Sequence, residues 1–340
     1  MFISRKLTRF VLWSWFWRTS LLTLSFNAFI ATCYSMGWIT LSLPWLPVSV
    51  IGTAVAFFVG FKNNQAYDRM WEARKIWGGI VNDSRTFAML VGSFITPKNG
   101  FTEKEVEIVK KKLIYRHIGW LYTHRWQLLE PTRWEQVLGG GFTQKSAERH
   151  IRKHGLGTVD DVTIDDVRAY LGDEEFDQYR VCKNMATQLI NRQSKDIMAL
   201  YEKGVINDFQ QMQLENVLRT FYELQGRNER IKKFPFPRDY SSMSAAFVTI
   251  FVCLFPFSLI PELMLVSNLG QWISIPIASI ISLVYIVMEQ LGDYHENPFM
   301  GTPHAMPMLS MCRTIEIDMR EMIGETDLPP AISPVESVLM

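Results

Sequence analysis

No proline interrupts the chain between Pro47 and Pro97, and within that stretch the character of the sequence changes abruptly. Val48 to Phe61 is apolar enough for a bilayer, whereas Lys62 to Arg85 is dense in charged and aromatic residues. With no breaker present, one continuous helix is predicted to leave the membrane and carry on into water. At helical spacing the apolar half has two faces. Gly52, Ala56 and Gly60 form a small-xxx-small ridge of the kind that lets membrane helices approach closely. Thr53, Phe57 and Phe61 form a parallel i, i+4, i+8 stripe. A helix packed on its small face and pointing phenylalanine rings the other way can line a narrow pore. The competing reading is that both rings meet lipid or a neighbouring helix.

The rest of the chain reads as helices of two kinds. Residues 1–18 mix Arg5, Lys6, Arg9 and Arg18 with Trp13, Trp15 and Trp17, the pattern of an interfacial helix. No small-residue cleavage site follows, which argues against a cleaved signal peptide. Ser20 to Trp38 is just long enough to cross a bilayer, and Trp45 to Phe61 is the second span. From Lys62 to Asp239 no stretch reaches spanning length. Phe101 to Glu130, Thr163 to Leu171, Asp173 to Leu200 and Val205 to Gln225 read as helices, and Thr102 with Glu105 as a capping box. A third span is expected over Met243 to Ile260, ended by Pro261 and Glu262, and a fourth over Trp272 to Met288. A last helix is expected over Leu309 to Ile323. Cations crowd residues 5–18, 62–85 and 230–238, while the links at 40–47 and 261–271 carry no Lys or Arg. By the positive-inside rule both termini and the long middle are cytosolic.

Little in the sequence supports chemistry. Lys+Arg (35) and Asp+Glu (34) nearly cancel, so nothing favours a nucleic-acid partner. Cys33, Cys182, Cys253 and Cys312 lie far apart and form no CxxC, so neither a disulfide framework nor a zinc site is expected. His150 and His154 have i, i+4 spacing but no intervening glutamate and no third ligand. His117 and His124 are read as structural. Asp160/Asp161, Asp165/Asp166 and Glu174/Glu175 are ordinary surface or helix-start pairs. The glycines at 139–141 and around 155–157 follow no strand and make no phosphate cradle. No nucleophile elbow, Walker loop or dinucleotide fingerprint is present, so no enzyme, cofactor or metal is expected.

The charged half of the long stretch carries the most specific information. Asn63, Asn64, Tyr67, Asp68, Arg69, Trp71, Glu72, Arg74, Trp77, Gly78, Asn82, Asp83, Ser84 and Arg85 match, in register, a run that follows the second span of bacterial bestrophin-family proteins. Gly226-Arg-Asn-Glu-Arg-Ile231 before Phe-Pro-Phe-Pro, and Glu296-Asn297-Pro298-Phe299, resemble two further family motifs. The chain therefore resembles a bestrophin along most of its length. The resemblance implies an all-α membrane protein with four transmembrane helices and a large helical cytosolic region, pentameric around a central pore. Its divisions would be 1–61, 62–240, 241–289 and 290–340. The expected function is an ion channel of a bacterial inner membrane, passing chloride and other small anions. A cation-conducting homologue and a membrane-anchored scaffold are the alternatives. Thr53, Phe57 and Phe61 match the three neck positions, although Thr53 departs from the usual apolar residue there. Phe209, in Asp208-Phe209-Gln210, falls at the place of the cytosolic aperture. The residues after Asn297-Pro298-Phe299, Met300 to Met308, contain no carboxylate, so the calcium clasp of animal members is not expected. The partners implied are further copies of the chain, the lipid bilayer and small inorganic ions.

Overall fold

The computed structural model describes residues 9–132, 164–334 and 338–339. His150, His154, Asp160, Asp161 and the glycines near 140 and 155 lie outside the described residues. The described part is built of helices: α1 (Arg9–Ser35), α2 (Trp45–Phe94), α3 (Glu103–Leu129), a 3-10 turn (Ile164–Val167), α4 (Arg168–Leu171), α5 (Asp173–Arg180), α6 (Met185–Glu202), α7 (Asp208–Lys233), α8 (Arg238–Val266), α9 (Gly270–His295) and α10 (Met308–Met322). Packing divides the chain into two units. One comprises the described residues within Ser4–Arg69 and Phe236–Asn297, the other those within Met70–Pro235 and Pro298–Met340.

The first unit is apolar. Its core joins Val48, Val55 and Val59 of α2 to Val248, Phe251, Phe255 and Leu259 of α8 and Ala278 of α9. A smaller cluster holds Ile30 and Ala31 of α1 against Ile260. The glycine ridge is only partly used for close approach. A methyl group at Gly52 would come within 2.7 Å of the Phe251 ring, whereas one at Gly60 would meet nothing within 4 Å. Among the described residues, three helices are long and apolar enough to cross a membrane: α2, Asp239–Val266 within α8, and α9. The first expected span lies in α1, which is not among the three. That helix runs unbroken from Arg9, so no joint separates an interfacial segment from the apolar run. The third span does not stop at Pro261: α8 continues to Val266 with Pro256 and Pro261 inside it. Proline is tolerated there because neighbouring helices and side chains of a membrane bundle meet the freed backbone groups.

The second unit has one extended core that includes Trp77, Trp120, Phe87, Phe221, Leu189 and Ile315, drawn from α2, α3, α7, α6 and α10. The capping box at Thr102 and Glu105 starts α3. Asp173 to Leu200 is not one helix but two. The α5 helix ends at Arg180, and Asn184 restarts the chain by accepting a hydrogen bond from the Thr187 N–H at 3.1 Å. Another capping box, Asn207 with Gln210, sets the start of α7 three residues later than expected, and the helix continues to Lys233. Val167 precedes only a four-residue helix, so the segment from 164 to 171 is a 3-10 turn followed by one helical turn.

Candidate functional site

The α2 helix buries one face and exposes the other. Val48, Gly52, Val55, Val59, Lys62 and Ala66 are buried, at successive spacings of three or four residues. Val50, Thr53, Phe57, Phe61, Asn64 and Asp68 are exposed at the same period. Phe57 and Phe61 keep 66% and 59% of their surface open to solvent, which an isolated apolar helix has no reason to do in water. The Thr53 hydroxyl donates to the Ser49 carbonyl at 3.0 Å, so it turns back onto its own helix. Phe58, one residue away, is on another side. Its ring stacks on Tyr240 at 4.5 Å and meets Phe247 edge-on at 5.4 Å.

A buried charge cluster anchors the same helix, and sequence reasoning did not find it. Lys62 is 1% exposed. Its ammonium donates to the Glu289 carboxylate and to Asp293 Oδ1 at 2.7 Å. The Ser241 hydroxyl donates to that same Asp293 oxygen at 3.3 Å, and Asn63 Nδ2 donates to the Met288 carbonyl at 2.9 Å. Gly292 leaves the space these groups occupy, since a Cβ there would lie 2.5 Å from Asn63 Oδ1. In the sequence Lys62 is one of the cations that crowd residues 62–85. The detectable sign was that it lies one residue past Phe61, on the buried side of the helix.

Beyond Arg69 the matched residues are distributed over different contacts. Glu72 pairs with Lys75 at 2.6 Å. Arg74 Nη1 lies 3.7 Å from Met311 Sδ, and Arg85 reaches Asp318 at 2.7 Å. Ser84 and His117 share a hydrogen bond of 2.8 Å, and Trp77 is fully buried against the His124 ring. Asn82 is exposed, its carbonyl accepting from Thr86 Oγ1. Tyr67 and Trp71 are half exposed and Arg69 is half buried. Among the described residues Asp68 forms no ion pair or side-chain hydrogen bond. Phe209 is 80% exposed in the first turn of α7. Glu296 and Asn297 are buried, Phe299 is fully buried in the core of the second unit, and the Pro298 carbonyl accepts from the Met306 N–H at 3.0 Å.

His117 and His124 of α3 are wholly buried, and that burial depresses their basicity to about 3 and about 4. They are neutral packing groups at ordinary pH. The exposed stripe of α2, apolar at Phe57 and Phe61 and polar from Asn64 onward, is one of several exposed apolar features among the described residues, and the one that coincides with the matched neck positions.

Residues 9–321 match the family model described as Bacterial/Fungal Bestrophin protein. The chain is 25% identical over 313 residues to the "voltage-dependent anion channel-forming protein YneE" of Salmonella typhi, covering 91% of this chain and 88% of that one. It is 23% identical over 319 residues to the protein of the same name from Escherichia coli, covering 93% and 90%. Two crystal structures of a bacterial bestrophin homolog from Klebsiella pneumoniae share the fold. One has a TM-score of 0.72 at 20% identity over 90% of this chain and 98% of that one, the other 0.70 at 21% over 91% and 98%.

Proposed function

The chain belongs to the bacterial/fungal bestrophin family, and from that premise we propose that it is an ion channel passing chloride and other small anions. The observation that carries this reading is the open, apolar face of α2 at Phe57 and Phe61. Five copies meeting on that face enclose a neck in which Thr53, Phe57 and Phe61 form successive rings without charge. Such a constriction stops ions by dewetting, because an ion in transit sheds water that phenylalanine cannot replace. Phe209 forms a second ring at the cytosolic aperture. Four helices, α1 included, cross the inner membrane with both termini on the cytosolic side, as the placement of Lys and Arg supports. The matched residues around Tyr67 to Arg85, Asp68 excepted, and Glu296 to Phe299 hold the pore helix in register. The preference for anions rests on what the relatives' names say of those proteins.

The test is a planar-bilayer recording of the purified chain under an asymmetric potassium chloride gradient. A reversal potential displaced toward the chloride equilibrium potential supports the reading. Displacement toward that of potassium replaces it with a cation channel, and absence of current replaces it with a scaffold.

A further inference from the structure

The exposed stripe of α2 does not end at the neck. Asp68 lies eleven residues after Phe57 and seven after Phe61, which returns it to within about 20° of the direction in which Phe57 points. It is about 10 Å further along the axis than Phe61. Asn64 lies between them on the same face and is exposed, as Asp68 is. The opposite face at that level is closed by buried Lys62 and Ala66. Lys62 spends its charge on Glu289 and Asp293, directed away from the exposed stripe. Among the described residues Asp68 has no cationic partner, although Arg69 is adjacent and the next carboxylate along, Glu72, is paired with Lys75. An exposed carboxylate left unneutralised on this one face, immediately past two uncharged rings, faces whatever passes the neck.

We propose that Asp68 is a charge-selectivity determinant of this channel: one carboxylate per copy forms a ring just beyond Phe61 that attracts cations and holds back anions. The proposal rests on the reading that this face of α2 lines the ion path. Phe57 and Phe61 bring no net charge, so they gate without discriminating strongly by sign, and the first full charge an ion meets beyond them decides the preference. A ring of like charges sharing a confined volume acts on every passing ion, and the low-dielectric walls concentrate its field. Ion preference in this chain is then a balance in which Asp68 opposes anion passage.

The experiment compares full-length wild type, Asp68→Asn and Asp68→Glu in bilayers under the same potassium chloride gradient. Asp68→Asn should raise the chloride-to-potassium permeability ratio at least about fivefold, the factor for one unit charge near contact distance in water. Asp68→Glu should keep the wild-type ratio. An independent check places Asp68→Cys in a Cys253→Ser background, since Cys253 is exposed. A sulfonate-bearing methanethiosulfonate reagent should then restore the wild-type ratio, and a trimethylammonium-bearing one should push it further toward chloride. Reversal potentials that are the same in wild type and Asp68→Asn, in channels that conduct, overturn the role of Asp68 and leave the channel reading intact. A wild type that carries no current overturns the channel reading itself and this inference with it.

Discussion

His117 and His124 show how much of this protein is held by groups that do no chemistry. Each is enclosed by aromatic rings: His117 lies against Phe87, Trp120 and Phe221, and His124 against Trp77 and Trp120. Each ring nitrogen Nε2 has one polar neighbour, Ser84 at 2.8 Å and Asn228 at 3.0 Å. Folding depresses both basicities, to about 3 and about 4, whereas the unfolded chain protonates them near 6.5. The unfolded state therefore binds more protons below that value, and the stability from keeping them neutral is full above about 6.5 and is lost as pH falls toward the folded values. Each histidine removes at most about 1.4 kcal/mol per pH unit in that window. Thermal unfolding followed between pH 7 and pH 5 should show the midpoint falling, and His117→Asn should flatten the slope. A slope unchanged by that substitution would show that His117 is not the group responsible. Arg116 makes the contrasting case of a buried charge. It is 2% exposed, held by Glu175 at 2.9 Å, Asp196 at 2.8 Å and Gln193 at 3.1 Å. Arg116→Met strands the Glu175 carboxylate, while Asp196 keeps Lys112 and Arg192 at 3.2 Å, and should cost about 3 kcal/mol, read as a lowered denaturation midpoint.

Within the α2 helix the consequences of a substitution depend on the side it faces. Phe57→Ala removes bulk from the open stripe, so it should widen the neck and give larger or more persistent current with little change in charge preference. Phe58→Ala removes the ring that stacks on Tyr240 and meets Phe247 edge-on. It should cost up to about 3 kcal/mol of stability and leave conduction in the surviving protein unaltered. Larger current from Phe58→Ala and none of that effect from Phe57→Ala would show that the stripe had been put on the wrong side. This two-sidedness was legible in the sequence because it follows from local spacing, as was the capping box at Thr102 and Glu105, which needs only residues three apart. The Lys62 cluster was not, because its carboxylates lie 227 and 231 residues away and nothing local marks them as neighbours. The split between α5 and α6 was missed for a different reason. Asn184 is a strong cap, but the polar residues around it keep helical spacing, so pattern alone joined the two helices. The end of α8 was misjudged because Pro261 was weighed as it would be in water, where the broken hydrogen bond is not repaired by a surrounding bundle.

For the assembled molecule the first expectation is negative. With no carboxylate between Met300 and Met308, raising calcium from nanomolar to micromolar should leave open probability unchanged in bilayer recordings, and a reproducible rise would defeat that expectation. Topology makes a second test: a cysteine in place of Lys98 should resist impermeant reagents added outside intact cells, and efficient labelling there would reverse the orientation. On the proposed reading, in which the stripe lines a pore, the size of its side chains favours a particular copy number. Helices pack with their axes about 8–10 Å apart. Five in a ring then stand with their axes about 8 Å from the centre, and the Cα atoms facing inward lie about 5–6 Å from it once the helix radius of about 2.3 Å is subtracted. A phenylalanine ring reaches about that far from its own Cα, so five rings nearly close the lumen and five smaller side chains open it. With three helices the inward Cα atoms stand only about 3 Å from the centre, too near for any phenylalanine to point inward. On the proposed reading Phe57 and Phe61 suit a ring of about five better than one of three. Native mass spectrometry from detergent should give a species at five times the 39.5 kDa chain mass. A monomer, dimer or trimer as the largest intact species would leave the two rings without a lumen to close, and the neck would have to be abandoned.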